Sequence, residues 1–370
     1  MHPAPEPSFP RAAGRVAALL AAVAILATPP ARALLKGALL VPEVVPAPVH
    51  PLTWLTPGPR REPISLPSGT ADLYRPAGLV DAPGVVVVHG ANEGGKDDPR
   101  VIALASALAR EGRRVVVPQL GLRNQRLDPA DPQRIRDAIA HLADATGSRV
   151  GVLAFSYGAG FTLVAIAEQP AIQRQVSFVA AVGTYYNLFD LLEGATTQSV
   201  PARGGLVGWK PDPTALGLAA AQLADFLGGA DGTALAAAWA TQAPGSLSPR
   251  ARPVYDLLAN RDPARFGTLV AGLPLDLLAR LEELSPSRWV DRIRVPVYAL
   301  HARTDPASPP SESELLVAAL RGRVRTRLSL VGNLSHVSPT RSVLGDVADA
   351  ARLADFAGTA LRAQEGWPRP

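Results

Sequence analysis

Three residues with complementary chemistry, Ser156, Asp305 and His336, stand in an order that can activate a hydroxyl. A serine hydroxyl is a poor nucleophile until a base takes its proton, and an imidazole base needs an acid to hold its tautomer. Ser156 lies in Ala154-Phe155-Ser156-Tyr157-Gly158, the G-x-S-x-G nucleophile elbow with Ala at the first Gly position. The elbow forces its serine into a strained backbone, so the neighbours must be small for strand and helix to pass closely. Ala154 and Gly158-Ala159-Gly160 satisfy that. Asp305 sits in His301-Ala302-Arg303-Thr304-Asp305-Pro306, and His336 in Gly332-Asn333-Leu334-Ser335-His336-Val337. Taken singly, Ser156 also reads as a helix N-cap, Asp305 as a turn residue and His336 as a loop histidine. Their common placement, each just past the carboxyl end of an expected strand where open α/β sheets bind ligands, favours a catalytic triad.

An acyl-transfer site also needs two backbone N–H groups aimed at the developing oxyanion. One is expected from Tyr157, directly after the nucleophile. The other is expected from the loop His89-Gly90-Ala91-Asn92-Glu93-Gly94-Gly95, most simply from Ala91. His89 then reads as a residue that shapes this loop rather than as a base. A phosphate loop is the competing reading, but Lys96 follows Gly95 directly and is itself followed by Asp97, which breaks the G-x4-G-K-[ST] pattern.

The elements that must carry these residues alternate between short apolar strands and helical stretches. Ile64 to Leu66 and Ala71 to Tyr74, around Pro67-Ser68-Gly69, read as a hairpin. Val85 to Val88 is four valines in a row, as in a strand buried on both faces. A helix over Val101 to Ala109 follows, capped by Asp97 or Asp98. Strands are then expected at Val115 to Val117, Val150 to Phe155 and Val176 to Val182, with helices over Ile135 to Leu142 and Gly158 to Glu168. The order implies an α/β fold, a mostly parallel sheet with helices on both faces and right-handed crossovers. Residues 64–186 form the first part of this core. Residues 187–288 have helical composition without a convincing strand and read as an insertion. Residues 289–363 complete the core, with strands at Val295 to His301 and near Val324 to Leu330, and helices near Ser313 to Leu320 and over Val343 to Leu361.

Composition removes several alternatives. The chain has no cysteine, which excludes thiolate metal sites, cysteine nucleophiles and disulfides. The net charge of +5 comes from scattered arginines, and aromatics make up only 5% of the residues, so little is available to stack bases and no nucleic-acid partner is expected. No dinucleotide fingerprint is present and the six histidines do not cluster, so neither a cofactor nor a metal is expected. At the start, Arg11 and Arg15 precede an apolar run from Val16 to Ala27, then Pro29-Pro30 and Ala31-Arg32-Ala33. That is the grammar of an export signal over residues 1–33, with an uncleaved membrane anchor and a frayed Ala-rich terminus as the alternatives. The signal and anchor readings both place the body outside the cytoplasm, exported or held at the inner membrane by the N-terminal segment. Residues 34–63 read as a Pro-rich extended linker outside the fold.

The His-Gly loop, the Ser156 elbow, Asp305 and His336, in that order, resemble the α/β-hydrolase superfamily. The hairpin leading into Leu73-Tyr74-Arg75-Pro76 is similar to bacterial esterases of the dienelactone-hydrolase-like group, with Ser in place of that group's Cys nucleophile. The resemblance implies a serine hydrolase acting on carboxylic esters, small or lipid-like, through an acyl-enzyme and without metal or cofactor. It also implies that the insertion is a cap over Ser156, with Tyr185 and Tyr186 candidates for lining an acyl pocket. Acyl transfer or peptide cleavage on the same triad, or a binding protein that keeps the fold, are the other readings.

Overall fold

The computed structural model describes residues 28–79, 81–332, 334–339 and 346–364. Its centre is an eight-stranded sheet of β1 (Arg60–Leu66), β2 (Gly69–Arg75), β3 (Gly84–Val88), β4 (Arg114–Pro118), β5 (Val150–Phe155), β6 (Val176–Val182), β7 (Val297–Ala302) and β8 (Thr326–Val331). The spatial order is β1-β2-β4-β3-β5-β6-β7-β8. β2 pairs antiparallel with both β1 and β4, while β3 to β8 are parallel. This is the α/β-hydrolase architecture, and it follows from the strand pattern. The valines of β3 are wholly buried and alternate between two layers. Val85 and Val87 pack on one face with Leu104 and Leu108, and Val86 and Val88 on the other with Ile139 and Phe161.

The first layer contains helices α1 (Pro29–Val44), α2 (Pro99–Arg110) and, near the C-terminus, the helix Val347–Gln364. Asp98 caps α2 by accepting the Arg100 N–H at 2.8 Å, and Pro99 fills the first turn, where its missing N–H costs nothing. The opposite layer contains α3 (Asp131–Thr146), α4 (Tyr157–Glu168) and Pro310–Leu320.

The expected linker is largely structured. Residues 34–44 belong to α1, a second short helix spans Pro51–Leu55, and β1 begins at Arg60. Small residues let α1 lie directly on Val347–Gln364: a Cβ at Gly37 would sit 1.8 Å from the Ala354 carbonyl oxygen, and one at Gly358 would sit 2.1 Å from that of Ala33. Lys36 pairs with Glu111 at 3.0 Å, and Glu43 accepts the Leu52 N–H at 2.7 Å. Of the prolines that suggested a linker, Pro51 occupies a first-turn position and Pro42 lies within the last turn of α1. Of the expected signal or anchor, residues 1–27 lie outside the described ones; Ala31-Arg32-Ala33 is part of α1. No helix among the described residues is long and apolar enough to cross a membrane.

The insertion between β6 and β7 contains α5 (Leu188–Thr197), α6 (Ala215–Leu227) and five further helices, Gly229–Thr241, Arg252–Ala259, Pro263–Ala271, Leu275–Glu283 and Pro286–Trp289. It also has a two-stranded hairpin, Ser199–Ala202 with Gly205–Gly208, which the apolar pattern does not disclose because the strands are four residues each. Within the insertion, α6 and Gly229–Thr241 are separated at Gly228 and Gly229, both at positive φ (65° and 52°).

Candidate active site

β5 ends at Phe155 and α4 begins at Tyr157, leaving Ser156 alone in the turn at φ 52° and ψ −131°. A non-glycine residue there stores on the order of 1–3 kcal/mol of strain, which the surroundings must offset. They do so by close packing. A Cβ at Gly158 would fall 2.2 Å from the His89 carbonyl oxygen, one at Gly160 would strike the Tyr185 ring, and one at Gly90 would sit 2.8 Å from the Ser156 Cβ. Ser156 N–H donates to the Val182 carbonyl at 2.8 Å and so ties the turn to β6.

The three chemistry-bearing residues, far apart in sequence, come together at the carboxyl end of the sheet. Ser156 Oγ lies 2.7 Å from His336 Nε2, and His336 Nδ1 lies 2.8 Å from Asp305 Oδ2. In the tautomer this network selects, the Ser156 hydroxyl donates to Nε2 and Nδ1–H donates to the carboxylate. Asp305 is buried, and its other oxygen accepts the Ala307 N–H at 2.8 Å and the Ser308 N–H at 3.0 Å. Burial opposes its ionisation, but hydrogen bonds and charge from His301 and His336 outweigh burial and hold the carboxyl well below the usual carboxylate range.

His301 has no assigned role in the sequence reading. Fully buried on β7, it places Nε2 3.2 Å from Asp305 Oδ2 and 2.9 Å from the Ser308 carbonyl, with Nδ1 2.7 Å from the Ser313 hydroxyl. The spacing His301-x3-Asp305 is the one sequence signal for it. Trp209, from the insertion, carries no such signal; its Nε1 donates to the Asp305 carbonyl at 2.7 Å.

The loop after β3 is fixed by its own polar groups. Leu120 N–H donates to His89 Nε2 at 3.2 Å, which leaves Nδ1–H to donate to the Gly90 carbonyl at 2.8 Å. Burial lowers the His89 pKa, consistent with a neutral loop-shaping ring. Asn92 Nδ2 donates to the same carbonyl at 3.1 Å. With the Gly90 oxygen so held, the planar trans peptide turns the Ala91 N–H the opposite way. Tyr157, at the first position of α4, has an N–H with no intrahelical acceptor. Ala91, Tyr157, Ser156 and His336 all line one cavity of about 320 Å3, roofed by α5 and α6 through Leu188, Leu191 and Leu223.

Tyr185 and Tyr186 sit elsewhere. Neither lines that cavity, which corrects the expectation that they form an acyl pocket. Tyr185 is buried and donates its hydroxyl to the Leu284 carbonyl at 2.6 Å, closing the neck of the insertion. Tyr186 N–H and Asn187 N–H both donate to Glu312 Oε2, at 2.7 and 2.9 Å. The Ser287 N–H returns to the Tyr186 carbonyl at 2.9 Å. Burial, and then the charge of Asp190, push the Glu312 carboxyl up to about 8 despite the two backbone donors. Its Oε1 has no hydrogen-bond partner.

No protein-family model matches the sequence, and no curated protein matches it. Similar solved structures include an acylaminoacyl peptidase from Pyrococcus horikoshii, at 13% identity and TM-score 0.48 over 82% of this chain and 41% of that one. A puromycin hydrolase is 16% identical at TM-score 0.47, over 85% of this chain and 39% of that one. The esterase domain of a Rhodothermus marinus protein is 15% identical at TM-score 0.46, over 83% of this chain and 99% of that domain. The chain thus spans about two fifths of the peptidase and puromycin hydrolase chains. Similarity at this level says nothing of the reaction here. The strand order, with β2 alone antiparallel to its neighbours and a serine in the turn after β5, gives this chain the α/β-hydrolase fold.

Proposed function

We propose that the chain is a serine hydrolase that cleaves carboxylic esters through an acyl-enzyme. The observation that carries this reading is the unbroken hydrogen-bond chain Ser156–His336–Asp305, at 2.7 and 2.8 Å, opening on a largely apolar cavity. His336 takes the Ser156 proton as Oγ attacks the ester carbonyl, and Asp305 stabilises the imidazolium so formed. The N–H groups of Ala91 and Tyr157 are the donors proposed for the oxyanion. His336 then returns the proton to the departing alkoxide, leaving an acyl ester on Ser156 and a free alcohol. Water, deprotonated by the same imidazole, releases the carboxylic acid and restores the hydroxyl. The insertion acts as the cap, with Trp209 tying it to the acid-bearing loop.

Two features support a preorganised site: the strained backbone of Ser156 and the three hydrogen bonds that Asp305 accepts. The test is turnover of short p-nitrophenyl esters by the full chain and by Ser156→Ala. The variant is expected to lose about 10^4-fold or more in kcat with its unfolding midpoint preserved. Comparable turnover in both proteins would overturn the reading. Product analysis with added alcohols and peptides separates hydrolysis from acyl transfer and peptide cleavage.

A further inference from the structure

A second cavity, of about 340 Å3, reaches Ser156 and His336 from the other side. It lies between the sheet and the first helical layer rather than under the insertion. Leu40, Val41 and Val44 of α1 form one wall, Phe155 and Ala180 of the sheet another, and Phe356 of Val347–Gln364 a third. Ala91, Ser156 and His336 line both cavities, so the two spaces meet at the nucleophile.

We propose that this second cavity holds the acyl chain of the substrate, which makes the substrate class esters of medium- or long-chain aliphatic acids; the proposal rests on the hydrolase reading above. Protein interiors are packed without large voids, and an unfilled apolar space forfeits contacts in proportion to its size. Among the described residues nothing fills this apolar space, which touches the nucleophile and so can receive a ligand. Its chemistry selects the ligand. The polar side chains at its rim are already committed: Asp98 accepts from the Arg100 N–H and guanidinium, Arg100 Nη1 donates to Ser338 Oγ at 2.8 Å, and His89 is bonded at both nitrogens. The walls beyond are hydrocarbon, which favours a chain without hydrogen-bonding groups. The cavity under the insertion has more polar side chains in its lining, Gln125, Arg126, Asp212 and Gln222, although Gln222 is bonded to Leu127, Asp212 to Thr214 and Arg126 to Asp225. This cavity is left to the alcohol portion of the ester. The helix α1, outside the fold by the sequence reading, thereby becomes a wall of the binding site.

The experiment compares p-nitrophenyl acetate, butyrate, octanoate and laurate, below their aggregation limits, on the full chain and on Ala357→Phe, which places a ring in the second cavity. In the unaltered protein kcat/KM is expected to climb by about fourfold per added methylene until the space is full. In Ala357→Phe the octanoate-to-acetate ratio is expected to fall by about tenfold or more. Ala219→Phe, in the cavity under the insertion, is expected to alter dependence on the alcohol group and not on acyl length. A flat chain-length profile in the unaltered protein, or a profile truncated by Ala219→Phe and not by Ala357→Phe, would overturn the proposal. Should Ala357→Phe fail to fold, alkylphosphonate esters of graded length applied to the unaltered protein decide the matter. A Ser156 modification rate that rises with chain length supports the proposal, and a rate indifferent to length rejects it while leaving the hydrolase reading intact. Failure of every probe to modify Ser156 would instead remove the hydrolase reading itself.

Discussion

Asp305 and Glu312 are both buried carboxyls, seven residues apart, and their surroundings drive them to opposite charge states. Asp305 accepts from His336 on one oxygen, with His301 Nε2 3.2 Å from the same atom, and from two backbone N–H groups on the other, and is held ionised. Glu312 receives two backbone N–H groups on one oxygen, nothing on the other, and faces the like charge of Asp190; its carboxyl is pushed up to about 8. Burial alone does not set the charge of a carboxyl. The number and kind of donors decide it. The charged one orients a base beside the nucleophile, and the neutral one joins the neck through which the insertion leaves the sheet.

The contrast breaks most sharply at Asp305. Asp305→Asn keeps the shape but removes the charge that orients and stabilises His336, and kcat for a short ester is expected to fall on the order of 10^4-fold. A loss under about tenfold would mean that His336 is oriented without it. Stability sharpens the contrast with opposite slopes. The folded protein keeps the Glu312 proton up to about pH 8, while the unfolded chain releases it near 4.5. The stability from this group is therefore fully present below about pH 4.5 and is lost as the pH rises towards 8. Asp305 behaves in the reverse sense: its contribution is present above about pH 4 and is lost on acidification through its depressed folded value. Glu312→Gln replaces the carboxyl by a permanently neutral group. Relative to the unaltered protein it is expected to gain stability steadily between pH 5 and 8, by a few kcal/mol in all (~1.4 kcal/mol per unit). Urea unfolding at three pH values measures it, and a pH-independent difference would contradict the assignment. The smallest effect is expected at the neck's other fastening. Tyr185→Phe removes the bond to the Leu284 carbonyl and is expected to cost about 1 kcal/mol of stability with KM for a short ester unchanged. A raised KM would return Tyr185 to the substrate pocket.

Most of the sheet is legible in the sequence because it is a parallel sheet buried on both faces: Val85 to Val88, Val150 to Phe155 and Val176 to Val182 announce themselves as apolar runs of strand length. The elbow is legible for a related reason, since close approach demands small residues at Ala154, Gly158 and Gly160. Two neighbours of Asp305 are less so: His301 leaves only its spacing of four residues as a signal, and Trp209 reaches Asp305 through tertiary packing that no local pattern encodes. The helix α1 is not legible. Pro29-Pro30 read as the end of a signal and Pro42 as linker, and the cue that it packs, small residues at Ala33 and Gly37 facing Ala354 and Gly358, has meaning only once two distant segments are laid together. Tyr185 shows the same limit from the other side: an aromatic at the edge of sheet and insertion fits a pocket or a neck equally well until its hydroxyl is seen on Leu284.

The most direct test of the central claim is labelling of the full chain with a serine-directed fluorophosphonate beside Ser156→Ala, with the adduct located by mass spectrometry. A single adduct on Ser156, absent from the variant, is the predicted result, because only a hydroxyl hydrogen-bonded to an oriented imidazole reacts at a useful rate. A folded protein that takes no label, or one labelled elsewhere and equally in the variant, would contradict the account.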